Sequence, residues 1–189
     1  MSAIRTRPAL SSRPARRTVP PLPIHEMLDA THREVMQVLG RLQQWVEQLD
    51  TQGIDADTRR TAGEICSFFD GGVREHHEAE ELHVFPALVA SQDAALLQHV
   101  RRLQQDHGWI EEDWLALAPQ LRAIAAGYSW YDPAELQHGI EVFLELCREH
   151  IQLEESIIYP EAKARAAKLA RRRATLPPLR FTKEAPSSS

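Results

Sequence analysis

The stretch His76-His77-Glu78-Ala79-Glu80-Glu81-Leu82-His83-Val84-Phe85-Pro86 recurs later in the chain as His150-Ile151-Gln152-Leu153-Glu154-Glu155-Ser156-Ile157-Ile158-Tyr159-Pro160. In each copy a histidine precedes a glutamate by four residues, a second glutamate follows, and an aromatic-proline pair stands five residues after the first glutamate. Four residues apart on an α-helix, an imidazole and a carboxylate lie one above the other on a single face. One such pair is commonplace on helix surfaces as a hydrogen bond. Two copies in register, each set in an otherwise apolar stripe, point to groups that converge on one site.

Outward from these copies the chain reads as helix almost throughout. Glycine is scarce, β-branched runs are absent, and apolar residues recur at three- and four-residue intervals. A first helix spans about residues 24–49, with Leu28, Val35, Leu39, Leu42, Val46 and Leu49 on one stripe, and ends at turn residues 50–55. A second is expected from Asp57 or Thr58 to about Val89, weakened at Gly71-Gly72 and kinked by Pro86. Ser91 and Asp93 are caps for a third, over about 92–126, which Pro119 should bend. Asp132-Pro133-Ala134-Glu135 combines an N-cap, a first-turn proline and a capping-box glutamate, and starts a fourth helix that extends to about Arg173. Four long helices and short loops favour an all-α fold, an antiparallel up-and-down four-helix bundle.

That topology sets the height of each side chain. Counted from helix ends at 49, 58, 127 and 133, His32, His76, His107 and His150 stand 17 to 20 residues up, and Glu80 and Glu154 stand 22 and 21. All six fall within a layer roughly 7 Å thick at about 1.5 Å of rise per residue. Uncompensated, so many polar groups in a bundle core would cost several kcal/mol each, about 2–7 for a polar group buried without a partner. A bound metal centre removes the difficulty.

With these residues the chain resembles the hemerythrin-like (HHE cation-binding) family of four-helix bundles, over about residues 24–165. The resemblance implies a non-haem di-iron centre, two iron ions with an oxo or hydroxo bridge. Carried over position by position, its ligands are His32, His76, Glu80, His107, His150 and Glu154, the two glutamates bridging and the histidines capping. Four imidazoles, two bridging carboxylates and the bridge leave about two of twelve coordination positions for water or a small ligand, as a reactive site requires. Oxygen-carrying members have a fifth histidine on the third helix and a bridging aspartate on the fourth. This chain instead has Leu103 and Glu111 four residues either side of His107, and Glu154 on the fourth helix.

Other polar residues near the layer are assigned outer roles. Glu111 shares the His107 face and is read as a solvated or second-tier partner, with an extra ligand or a proton donor as the alternatives. His77 and Glu81 are one residue out of register, about 100° round the helix, and are read as surface or supporting groups. His25 and His83, each seven residues from a proposed ligand, are expected as partly exposed histidines at the bundle mouth. Cys147, one turn from His150, is read as a small buried packing residue, with contact to the centre as the alternative, and the four tryptophans as core or loop packing.

Charge divides the chain into three. Residues 1–23 carry five Arg and no acid, and 161–189 carry eight basic residues against Glu161 and Glu184, leaving 24–160 with 9 basic and 25 acidic residues. The expected organisation is a disordered basic N-terminal tail (1–23), a bundle (24–165), and a basic helix extension with a disordered tail (166–189). An acidic body does not suit nucleic-acid binding. No apolar run is long enough to span a membrane. Two well-separated cysteines, Cys66 and Cys147, fit a reducing compartment, so a cytoplasmic location is expected. Functionally the leading expectation is a di-iron protein that binds or reacts with a small oxidant, O2, peroxide or NO, as a binding protein or a peroxidase-like reductant. Its role would be sensing, scavenging or iron handling. The alternatives are a di-iron repair factor for iron-sulfur centres, usually marked by a cysteine-bearing N-terminal domain, and a metal-free helical interaction module.

Overall fold

The computed structural model describes residues 24–175, and the predicted N-terminal tail, with the predicted C-terminal tail beyond 175, lies outside them. The described residues are helical throughout apart from short turns. In order they form α1 (Ile24–Gln52), α2 (Ala56–Phe69), α3 (Gly72–His83), α4 (Phe85–Val89), α5 (Ala94–Ala125), α6 (Pro133–Leu153), a π-helical turn (Glu154–Ile158) and α7 (Tyr159–Thr175).

Local chemistry sets most of the boundaries. Asp55 and Thr58 form a reciprocal capping box at α2, while Asp93 and Asp132 each accept two backbone N–H groups at the starts of α5 and α6. After α5 the chain reverses through Gly127 at φ 88°. The N–H of Tyr128 there returns to Ala123 and that of Gly127 to Ile124, a left-handed cap that only glycine adopts without strain. Pro119 sits inside α5 without ending it.

Two expected helices are divided. The second becomes α2, α3 and α4, interrupted at Asp70-Gly71 and again at Val84. The fourth is interrupted by the π turn before α7. Each break beside the repeated motif ends two residues before its proline. Pro86 and Pro160 have no N–H to give to residues 82 and 156, and their rings crowd those carbonyls, which weakens the α-helical ladder there.

Four helical arms result. α1 packs on α2 and α6, and α5 packs on the same two, closing a ring. Two apolar clusters fill it. One is built around Leu39, Trp45, Ile65, Phe69, Leu121 and Phe143, and the other around Leu28, Phe85, Leu88, Leu103 and Ile158. Trp45 is fully buried and donates its indole N–H to the carbonyl of Thr58 at 2.8 Å. Trp114 is buried as expected, whereas Trp109 and Trp130 are exposed and pack in neither cluster. His32, His76, Glu80, His107, His150 and Glu154 are also buried.

Candidate metal centre

Each arm delivers its part of the polar layer: α1 supplies His32, α3 supplies His76 and Glu80, α5 supplies His107, and α6 with the π turn supplies His150 and Glu154. Glu80 and Glu154 have no exposed surface at all. Their carboxylates are shared between two sets of imidazoles. Glu80 turns Oε1 to His76 Nε2 and Oε2 to His107 Nε2, both at 3.5 Å. Glu154 turns Oε2 to His32 Nε2 at 3.1 Å and Oε1 to His150 Nε2 at 3.2 Å. Two overlapping quartets follow, His32/His76/Glu80/Glu154 and His107/His150/Glu80/Glu154, each with donor atoms within 4.8 Å of one another.

The atoms are close but their hydrogen bonding is unsatisfied. Glu80 Oε2, both Glu154 oxygens, His107 Nε2 and His150 Nε2 are buried without a hydrogen-bond partner. Each such atom costs about 1–3 kcal/mol unless something else accepts its lone pair. Imidazole and carboxylate donors in these numbers suit iron, manganese or zinc, and a cation between them would remove the cost. The residues present therefore fit the metal that their pattern implies.

The comparisons with known proteins agree. The family model of the hemerythrin HHE cation-binding domain matches residues 24–162, most of the chain. The chain belongs to this family. An uncharacterized protein of Haemophilus influenzae is 29% identical to it over 132 residues, 70% of this chain and 74% of that one. No solved structure matches.

In this hemerythrin-like domain the whole repeated motif has a geometrical meaning. The first glutamate of each copy joins the shared layer. The second reaches across to the outer nitrogen of the single histidine on a neighbouring arm: Glu81 Oε1 lies 2.8 Å from His107 Nδ1, and Glu155 Oε1 lies 3.3 Å from His32 Nδ1. The aromatic then covers that same histidine. Phe85 stacks on His107 with centroids 5.8 Å apart, and Tyr159 stacks on His32 at 5.0 Å. In an unbroken α-helix Tyr159 would point about 140° away from Glu154. The π turn, closed by the N–H of Tyr159 on the carbonyl of Glu154, swings it back toward the layer. Partners on the outer nitrogen fix ring orientation and tautomer at metal sites.

Electrostatics follow from this crowding. Burial opposes charge on Glu154, but His107, His150 and His32 around it hold its carboxyl well below the usual range. Burial, together with the Glu154 charge, pushes Glu80 up. Burial also opposes charge on His107, yet Glu154, Glu80 and Glu81 outweigh it and carry its pKa up to about 10. Burial and the neighbouring imidazoles push His76 down to about 3 and His77 down to about 2. A metal-free layer thus shares protons between imidazoles and carboxylates, and a bound cation takes their place.

The remaining expected residues divide. His77, read as an outer group, lies against the layer, its ring stacked on His107 at 3.9 Å. Cys147 is buried and lines a void of about 20 Å³ beside His32, His76 and His150. Burial pushes its thiol up to about 12, so it stays protonated. Glu111 is exposed, 3.9 Å from Arg74, on the rim of a groove of about 550 Å³ that reaches His77, Glu81 and His107. His25 is half-buried and His83 exposed, and neither joins a His/Glu cluster among the described residues.

Two contributors escaped the sequence reading. Tyr159 donates a short hydrogen bond to Glu80 Oε1 and lies 3.1 Å from His32 Nε2. Asp106 is buried, its Oδ2 3.8 Å from His150 Nδ1. The signal for Asp106 was an acid one residue before His107 inside a helix, and that alone does not separate a buried aspartate from a solvated one.

Proposed function

We propose that this chain is a non-haem di-iron protein that binds or reacts with a small oxidant, O2, peroxide or NO, in a cytoplasmic sensing, scavenging or iron-handling role. The observation that carries this reading is the sharing of both buried carboxylates: each offers one oxygen to each imidazole set, as bridging ligands between two ions would. In it His32, His76, His107 and His150 cap the ions, Glu80 and Glu154 bridge them, and the four arms run antiparallel, up and down. Iron in this setting supplies a change of valence and open coordination positions.

The chain's own residues then orient and exclude. Glu81 and Glu155 orient His107 and His32 from behind, and Phe85 and Tyr159 close over them. Tyr159 holds its hydroxyl proton on Glu80, because burial keeps the phenol firmly protonated. The void of about 20 Å³ is lined by imidazoles and by Val35, Phe69 and Val73. It is large enough for one water-sized or diatomic molecule, since a water needs roughly 10–15 Å³ measured this way. A metal-free interaction module leaves the buried, unpartnered donors of the layer unexplained.

Alanine at both Glu80 and Glu154 tests the reading through iron content. The double variant is expected to bind no iron after anaerobic reconstitution while keeping its helical circular dichroism. Two irons retained without the carboxylates would refute the bridging assignment.

A further inference from the structure

The two copies of the motif share the histidine, both glutamates and the proline, four of eleven positions, and among the departures one sets a further histidine beside the layer. Where the second copy has Ile151, an apolar side chain, the first has His77. Read as a surface or supporting group, it is half-buried between the outer groove and the layer. Its ring lies parallel to that of His107, centroids 3.9 Å apart at 6°, and meets that of His150 edge-on at 5.3 Å. One nitrogen each of His77, His107 and His150 forms a third cluster within 4.8 Å, and no carboxylate belongs to it. Neither ring nitrogen of His77 makes a hydrogen bond to another described residue, and the half-buried ring also lines the outer groove.

Building on the di-iron reading, we infer that His77 is a fifth imidazole ligand, added to the His107/His150 half of the centre alone. The two ions are then unequal. One half has three imidazoles, and the other has His32 and His76. Counted at six positions per ion, with two carboxylate oxygens and one bridging oxygen at each, the His77 half is full and the other keeps one position free. The exchangeable position therefore belongs to the His32/His76 half, the half that also has the Tyr159 hydroxyl.

Placement supports a ligand that small molecules can replace. His77 lines both the outer groove and the inner void, and with Phe69, Val73 and Ile110 it is the material between them. Removing its ring opens a path from solvent to the vacated coordination position. Free imidazole can follow that path into a truncated site.

The test uses the full chain, stripped of metal and titrated anaerobically with Co(II) by visible absorption, with ⁵⁷Fe Mössbauer spectra of the iron form alongside. Wild type is expected to take two metals per chain, and its ferric form to show two quadrupole doublets of equal area. His77→Ile, which installs the second copy's residue and preserves apolar packing, is expected to keep one ion and to weaken the other. The loss should exceed the roughly 10- to 100-fold expected when only a partner behind a ligand is removed. His77→Ala is expected to show the same loss, and millimolar imidazole should restore its second ion and Co(II) spectrum. In His77→Ile the isoleucine fills the space and no rescue is expected. Two metals at wild-type affinity with an unchanged spectrum in both variants would overturn the assignment. So would a loss that imidazole does not rescue in His77→Ala, which would make His77 a packing residue. A wild-type chain that takes no metal would instead overturn the reading of the centre itself.

Discussion

Tyr159 and Phe85 hold equivalent places in the repeat and cover equivalent histidines, yet only Tyr159 brings a hydroxyl into the layer. Stacking and hydrogen bonding can be separated there. Tyr159→Phe keeps the ring over His32 and leaves Glu80 Oε1 without its donor, which should cost the metal-free protein about 1–3 kcal/mol. Iron per chain should be unchanged, because Tyr159 is no ligand in this arrangement. Thermal melts of the metal-free variant and its iron content check the two halves of this expectation. At the residue scale the buried polar layer was legible because His32, His76, Glu80, His107, His150 and Glu154 recur at helical spacing and at one height. The supporting contacts were less so. Glu81 and Glu155 reach across to other arms, and His77 leans inward by an amount that register on an ideal helix does not give.

Among the elements, the starts of α5 and α6 were readable because an aspartate caps each and the interactions are local. The breaks at Val84 and in the π turn were harder to read. A proline predicts that the ladder opens, but how it reopens depends on what the aromatic beside it then meets. A π turn equals one residue inserted into an α-helix, which gives a direct test. Deleting exposed Ser156 should return Tyr159 to four residues after Glu154, on the same face in a regular helix. Pro160 would then sit in an α-helix interior at a cost of about 3 kcal/mol. Deleting Ser156 together with Pro160→Ala is therefore expected to keep two irons and a near-native melting temperature, while deleting Ser156 alone lowers that temperature. Deleting Glu145, inside α6, should abolish metal binding by rotating the site against the core by about 100°.

For the molecule as a whole, apolar burial and metal binding are separate contributions. The two clusters bury Leu, Ile, Phe and Trp side chains without help from the polar layer, so the fold does not depend on the metal in the way a zinc finger's does. The layer is a cost within that fold until its donors are satisfied, and its position near the shared groove and void places it within reach of small molecules. The acidic middle of the chain, first visible only as a charge imbalance, includes Glu80 and Glu154 at its centre and Glu81 and Glu155 behind them. Iron per chain, measured on the reconstituted wild-type protein together with its aerobic visible spectrum, is the most direct check. Two irons per chain with oxo-bridged ferric absorption is the expected result, whereas fewer than about one iron per chain, or no such absorption, would contradict a carboxylate-bridged di-iron centre.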